Sequence, residues 1–238
     1  MLRELRKPLW LVTILAGVLV GYFALYPGQD LVICGLFFNE GQFTGQTSKI
    51  AKLFDYGIYV VAYGLGVIGT YQVCRLFWRD RRLTPVLQKW LFFVVVLVFG
   101  AGLVAQGMKF AIERPRPYSL VEFGGTSPFV PALQKFDSGF EFVPPANRSF
   151  PSGHTAGAFS VAALAVVAVR PSIRKRIFYG GVVFSLLAGA MRVWEGNHHP
   201  SDVAGSILMM GTVMLFLDWI FPSLCGLTNQ LLNRFFKK

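Results

Sequence analysis

The sequence predicts an all-α integral membrane protein, six transmembrane helices in a bundle with both termini cytoplasmic. Three observations predict it: an apolar, charge-poor composition, six long apolar segments, and basic residues gathered on alternate connections. Of the 238 residues, 54% are hydrophobic and only 15% charged, where a soluble domain carries about a quarter.

The first apolar segment, about Leu9–Tyr26, follows "MLRELRK". The stretch after it, "GYFALYPGQD", lacks a small-x-small cleavage pattern, so it reads as an uncleaved span. Phe54–Phe77 and Trp90–Phe110 form spans two and three, each near the ~20 residues that cross hydrocarbon. Thr155–Val169 and Ile177–Val193 are shorter and must borrow from their flanks, and Val203–Leu224 completes the set. Residues 1–238 read as a single domain with a long outer loop at about 113–153 and no internal repeat.

Charge sets the orientation. Fifteen of the 23 basic residues fall before span one, between spans two and three, between four and five, or after six, opposed there only by Glu4 and Asp80. The positive-inside rule makes those ends cytoplasmic. The net charge of +11 is therefore a topology signal, and no nucleic-acid partner is expected. Cys34, Cys74 and Cys225 are scattered, odd in number and without metal-ligand spacing.

This topology brings three polar stretches to the outer face: "GMKFAIERPRP" ending span three, "PSGH" opening span four, and "MRVWEGNHHPSD" after span five. Each has a plain structural use. Lys109 can snorkel from a helix end, Ser152 or Thr155 can cap a helix, and Asp202 can be a first-turn acid after Pro200. Together they put Lys109, Arg114, Arg116, His154, Arg192, His198, His199 and Asp202 at one membrane surface, where ionisable groups are costly and point to a task.

The chemistry they suit is phosphoryl transfer, in which positioning and charge stabilisation do most of the work. Arg116 and Arg192 offer planar donor forks, and Lys109 a compact charge. The "PSG" turn presents backbone N–H groups at a helix N-terminus. His198 precedes Asp202 by four residues, which lets the carboxylate reach back to the ring in the manner of a nucleophile and its orienting acid. His154 can give and take the proton. Glu113, Glu195 and Asp202 are too few and too mixed with cations for a metal site, so no metal and no cofactor is expected.

These motifs carry a resemblance. Lys109–Pro117 fits K-x6-R-P, residues 151–154 are "PSGH", and Arg192–Asp202 fits R-x5-H-x3-D. Order and spacing resemble the type 2 phosphatidic acid phosphatase superfamily, which joins membrane lipid phosphatases and soluble haloperoxidases. The resemblance implies His198 as the nucleophile that becomes a phosphohistidine, Asp202 orienting it, and His154 as general acid and then base. It implies Lys109, Arg116, Ser152, Gly153 and Arg192 as phosphate ligands, and a metal-independent phosphatase. His199 lacks both the arginine six residues upstream and the aspartate four downstream, so it is expected to be a neighbour that touches substrate. Met191 departs from the serine usual before the arginine of the third element.

The six spans exclude a soluble haloperoxidase. Bacterial membrane members of the family act at the periplasmic face of the inner membrane on undecaprenyl diphosphate, phosphatidylglycerophosphate or lipid A. "GQDLVICGLFFNEGQFTGQ" and the aromatic loop after "RPRP" resemble lipid A phosphatases, which makes lipid A the expected substrate. Phe123, Phe129, Phe136, Phe140 and Phe142 are expected among acyl chains, and Lys135 and Arg148 at a second headgroup anion. The "LFF" and the loop can also be plain interfacial anchors. Two other readings stay open: phosphotransfer to a lipid acceptor, and a non-catalytic lipid-binding or transport protein.

Overall fold

The computed structural model describes residues 2–135 and 148–236. Helix α1 (Arg6–Leu25) leads through the short α2 (Gly28–Gly35) into a two-stranded hairpin, β1 (Phe38–Asn39) and β2 (Gln42–Phe43). Then follow α3 (Lys49–Asp80), and a continuous helix of α4 (Pro85–Val95), a π-helical segment (Val96–Val104) and α5 (Ala105–Ile112). After the long loop come α6 (Gly153–Ala163), α7 (Pro171–Trp194) and α8 (Pro200–Phe236).

Local chemistry sets the ends. Ser48, Thr84 and Ser152 each cap a helix by accepting a backbone N–H three residues on. Pro85 and Pro171 sit in the first turn of α4 and α7, where a missing N–H costs nothing. Arg81 and Glu113 close α3 and α5 in the left-handed conformation.

Among the described residues, five helices are long and apolar enough to cross a membrane: α1, α3, Pro85–Ile112, α7 and α8. The expected fourth span is shorter, an apolar helix over Gly153–Val166, below the ~20 residues a full crossing takes. Large apolar side chains such as Trp10, Tyr56, Tyr63, Val67 and Trp219 point outward. In water such a surface would be a penalty of ~25 cal/mol per Å²; in hydrocarbon it costs nothing.

The short helix is the centre of the bundle. Ala156, Ala158, Phe159, Ser160, Ala162 and Ala163 of α6 are all buried, packed chiefly on α7 and also on α3, α8 and the π segment. Small residues make this possible. A Cβ at Gly181 would overlap the backbone of Ala162, so α6 and α7 cross almost in backbone contact. A buried acid within α8, Asp218, accepts from the Leu2 N–H at 2.9 Å and from Arg6 Nη2 at 2.6 Å, tying the N-terminal segment to α8.

The outer connections differ from expectation. Phe123 packs with Phe38 and Phe43 at ring separations of 5.2 and 5.1 Å, and Phe129 lies 5.8 Å from the His199 ring. Both rings bury against protein, because the hairpin and the His199 loop offer apolar faces nearer than lipid. Arg148 is buried, paired with Glu113 at 2.5 Å and 4.5 Å over the Phe110 ring, so it is already engaged and does not await a second anion. Lys135 is exposed; Phe136, Phe140 and Phe142 lie outside the described residues.

Replacing Gly181 with Leu should force α6 and α7 apart and lower stability by about 1–3 kcal/mol or more. Thermal unfolding in detergent, compared with an exposed control such as Gly180→Leu, reads this directly.

Candidate active site

The three motifs meet. Lys109 at the end of α5, Arg116 in the following loop, Gly153 and His154 at the start of α6, and His198 between α7 and α8 line one cavity of about 910 Å³. Its other walls are mostly apolar: Ile58, Ala62 and Val67 of α3 face Leu97, Val98 and Ala101 of the π segment, with Thr70 and Gln106 among them. A Cβ built on Gly153 would stand 3.9 Å from Lys109 Nζ, which places that ammonium over the open start of α6.

His198 is buried, and its Nδ1 lies 3.4 Å from Asp202 Oδ2. That leaves Nε2 as the ring atom for chemistry. Asp202, in the first turn of α8, is held on its other side by Arg114 Nη1 at 2.6 Å. Arg114 is fully buried and uses all three of its nitrogens: Nη1 also donates to Ser201 Oγ at 2.7 Å, Nη2 to Asp30 Oδ2 at 2.8 Å, and Nε to the Val130 carbonyl at 2.7 Å. Asp30 of α2 further accepts the Ser201 N–H at 3.0 Å. Burial opposes the Arg114 charge, but Asp202 and Asp30 outweigh it and hold the guanidinium above its ordinary value.

Arg192, at the end of α7, is gripped by two carboxylates. Its Nη1 lies 2.6 Å from Asp55 Oδ1 and 2.7 Å from Glu195 Oε2. Glu195 accepts from Asn197 Nδ2 at 3.0 Å, and Asn197 Oδ1 accepts from Arg116 Nη1 at 3.1 Å. One chain of polar contacts therefore fixes both arginines. Ser152 is buried with its hydroxyl turned into the helix cap, accepting from Thr155 Oγ1 at 2.9 Å. Its backbone N–H points to the Asp202 carbonyl at 3.4 Å.

Sequence spacing set His199 apart from Asp202, but the structure does not. His199 Nδ1 is 3.3 Å from the same Oδ2, and its backbone N–H donates to it at 2.8 Å. Residues three and four apart are both neighbours at a helix start. What separates the two rings is access: His198 lines the cavity, whereas His199 is fully buried beside Phe129 and does not. His199, expected to touch substrate, has no face on this cavity.

Sequence reasoning missed Asp55, weighed Glu195 only as a metal ligand, took Asp30 only as part of the first outer stretch, and counted Arg114 only as part of the outer cluster. Asp30 and Asp55 carried a faint signal, as lone acids bordering apolar runs.

Two outcomes follow. Arg114→Ala should cost about 3–5 kcal/mol, because it strands two buried carboxylates; denaturant titration of the detergent-solubilised protein measures it. Burial, opposed by Asp202, pushes His198 down to about 3 from an ordinary 6.5. Between those values the unfolded chain binds a proton that the folded one refuses. His198 thus favours the fold fully above pH 6.5, and this contribution fades as pH falls towards 3. Melting temperatures across that range should decline for wild type more than for His198→Gln.

The PAP2 superfamily model matches residues 61–224. "Undecaprenyl-diphosphatase BcrC" of Bacillus subtilis strain 168 is 38% identical over 79 residues, 33% of this chain and 38% of that protein. "Bacitracin transport permease protein BcrC" of Bacillus licheniformis is 32% identical over 91 residues, 38% of this chain and 42% of that protein. The matches thus span about two fifths of these relatives. A crystal structure described as the first transmembrane PAP2 type phosphatidylglycerolphosphate phosphatase from Bacillus subtilis superposes with a TM-score of 0.53 at 18% identity. It covers 92% of this chain and 97% of that one, and it attests the fold. The family model extends over most of the helical bundle, with all three polar motifs inside it, and the chain belongs to the PAP2 superfamily.

Proposed function

We propose that the chain is a metal-independent membrane phosphatase that hydrolyses a lipid phosphate or diphosphate through a phosphohistidine on His198. The observation that carries this is the cavity, in which His154, His198, Lys109 and Arg116 stand at the polar end of an apolar cleft between α3 and the π segment. A phosphate at the polar end leaves its lipid chain in the cleft.

His198 Nε2 attacks phosphorus while Asp202 supports the ring through Nδ1. The bond from phosphorus to the lipid oxygen breaks, and His154 gives that oxygen a proton. Water then attacks the phosphohistidine, His154 takes its proton, and the P–N bond breaks to restore His198. Lys109, Arg116 and Arg192 meet the negative charge on the non-bridging oxygens, where fixed donors count most. Ser152 and Gly153 contribute the amide end of α6.

The chain sits in the bacterial inner membrane with the site at the periplasmic face. Gly153–Val166, extended by its flanks, makes the sixth crossing and returns both termini to the cytoplasm. Among substrates, a slender polyprenyl diphosphate fits better than lipid A. The features that suggested lipid A have internal partners: Asp30 holds Arg114, Phe123 packs on the hairpin, and Arg148 pairs with Glu113. The relatives' names point the same way, towards undecaprenyl diphosphate or phosphatidylglycerophosphate.

Purified protein should release inorganic phosphate in EDTA, with vanadate inhibiting. Undecaprenyl diphosphate should be the best of a panel with phosphatidylglycerophosphate, phosphatidic acid and lipid A. His198→Ala should lose activity by at least about 10⁴-fold while remaining folded. A need for added divalent metal, or substantial turnover by His198→Ala, would overturn the mechanism; best activity on lipid A would restore that substrate.

A further inference from the structure

One carboxylate beside the acid–base histidine has no role in the steps above. Asp55, in the second turn of α3, places the same Oδ1 2.6 Å from Arg192 Nη1 and 2.8 Å from His154 Nε2. That Nε2 is buried, and its approach to Asp55 is an ion-pair contact without hydrogen-bond angles, although the His154 side chain lines the cavity. Asp55 is not among the cavity-lining residues, and its side chain is 28% exposed. Tyr59, one turn further along α3, sets an edge-on ring 4.6 Å from the imidazole and fixes its tilt.

We infer that Asp55 is the positioning residue of His154, so that the site holds two carboxylate–imidazole pairs, Asp202 with His198 and Asp55 with His154. This rests on the phosphatase reading for its chemical meaning. A carboxylate at Nε2 keeps the proton on that nitrogen and leaves Nδ1 to face the substrate. In the first half-reaction the imidazolium passes its Nδ1 proton to the departing lipid oxygen and becomes neutral. In the second, Nδ1 takes a proton from the attacking water and the imidazolium reforms. Asp55 keeps its charge throughout.

The need for such a partner comes from the surroundings. The groups around His154 are Lys109 from α5, Arg116 from the following loop, Arg192 from α7, His198 from the loop before α8, and Tyr59 on α3, with Glu195 beyond Arg192. Three of these are cations that oppose a charged imidazole, and Asp55 is the carboxylate in contact with it. The shared oxygen also sets the spacing between a phosphate-gripping fork and the proton donor, and a small misplacement there is costly in rate.

The chain has three histidines, which makes ¹⁵N-histidine NMR in detergent micelles practicable, with His154→Gln assigning the signal. In wild type the neutral His154 ring should carry its proton on Nε2. In Asp55→Asn, an isosteric change, the tautomers should mix, and the pH at which the ring gains its second proton should fall, because a neighbouring negative charge is gone. Turnover of a lipid phosphate should drop by about 10²-fold, with the basic limb of the pH profile moved to lower pH and partial recovery in Asp55→Glu. The pre-steady-state burst of nitrophenolate from p-nitrophenyl phosphate, whose leaving group needs no proton, should stay within a few-fold. A wild-type proton on Nδ1, equal losses on both leaving groups, or tighter vanadate binding at unchanged turnover would overturn the pairing. An inactive wild type that still shows the Asp55-dependent tautomer would sink the phosphatase reading and leave the pairing standing.

Discussion

The ion pair between Arg114 and Asp202 is the interaction on which the site rests. Both side chains are fully buried, and removing ions from water costs several kcal/mol each unless every donor finds a partner. Arg114 comes close to that condition, with four of its five N–H groups reaching two carboxylates, a hydroxyl and a carbonyl. Those partners come from α2, the first turn of α8 and the outer loop. A single guanidinium thus pins three segments that are far apart in sequence, and the carboxylate beside His198 is as fixed as the core.

Electrostatic order continues outward from that pair. Arg192 is held by Asp55 and Glu195, and Arg116 by Asn197. These contacts keep the guanidinium planes oriented before any anion arrives, which is the condition under which fixed donors act without reorganising. Lys109 differs, a flexible ammonium over the start of α6 that adapts to what the arginines hold.

Much of this was legible in the sequence, and physics says which parts. Apolar length gave the long helices, serine and proline gave the starts of α6 and α8, and motif spacing singled out Lys109, Arg116, His154 and His198, which line one cavity. Motif spacing is readable because these residues act from helix ends that topology brings to one face. Their counterions are another matter. Asp30 lies 84 residues from Arg114, and Asp55 137 from Arg192; no periodicity relates residues across such gaps, and a lone acid at the edge of an apolar run reads as a boundary. His199 was misjudged because spacing says which residues are neighbours on a helix but not which ring reaches open space. The π segment Val96–Val104 was hidden as well, since an apolar run has no marker for an altered hydrogen-bond ladder.

The cleft between α3 and the π segment is open on its membrane-facing flank, where Tyr63, Val67, Tyr71 and Val98 are all exposed. A molecule reaching the polar end by that route arrives by diffusion in a plane, already oriented with its headgroup at the surface. The quantity governing its encounter is then a mole fraction among lipids and not a molarity in water. Long-range steering by charge has little to add to such a search. The short-range, pre-paired arrangement around Arg192 and Arg116 suits a ligand that the membrane itself delivers.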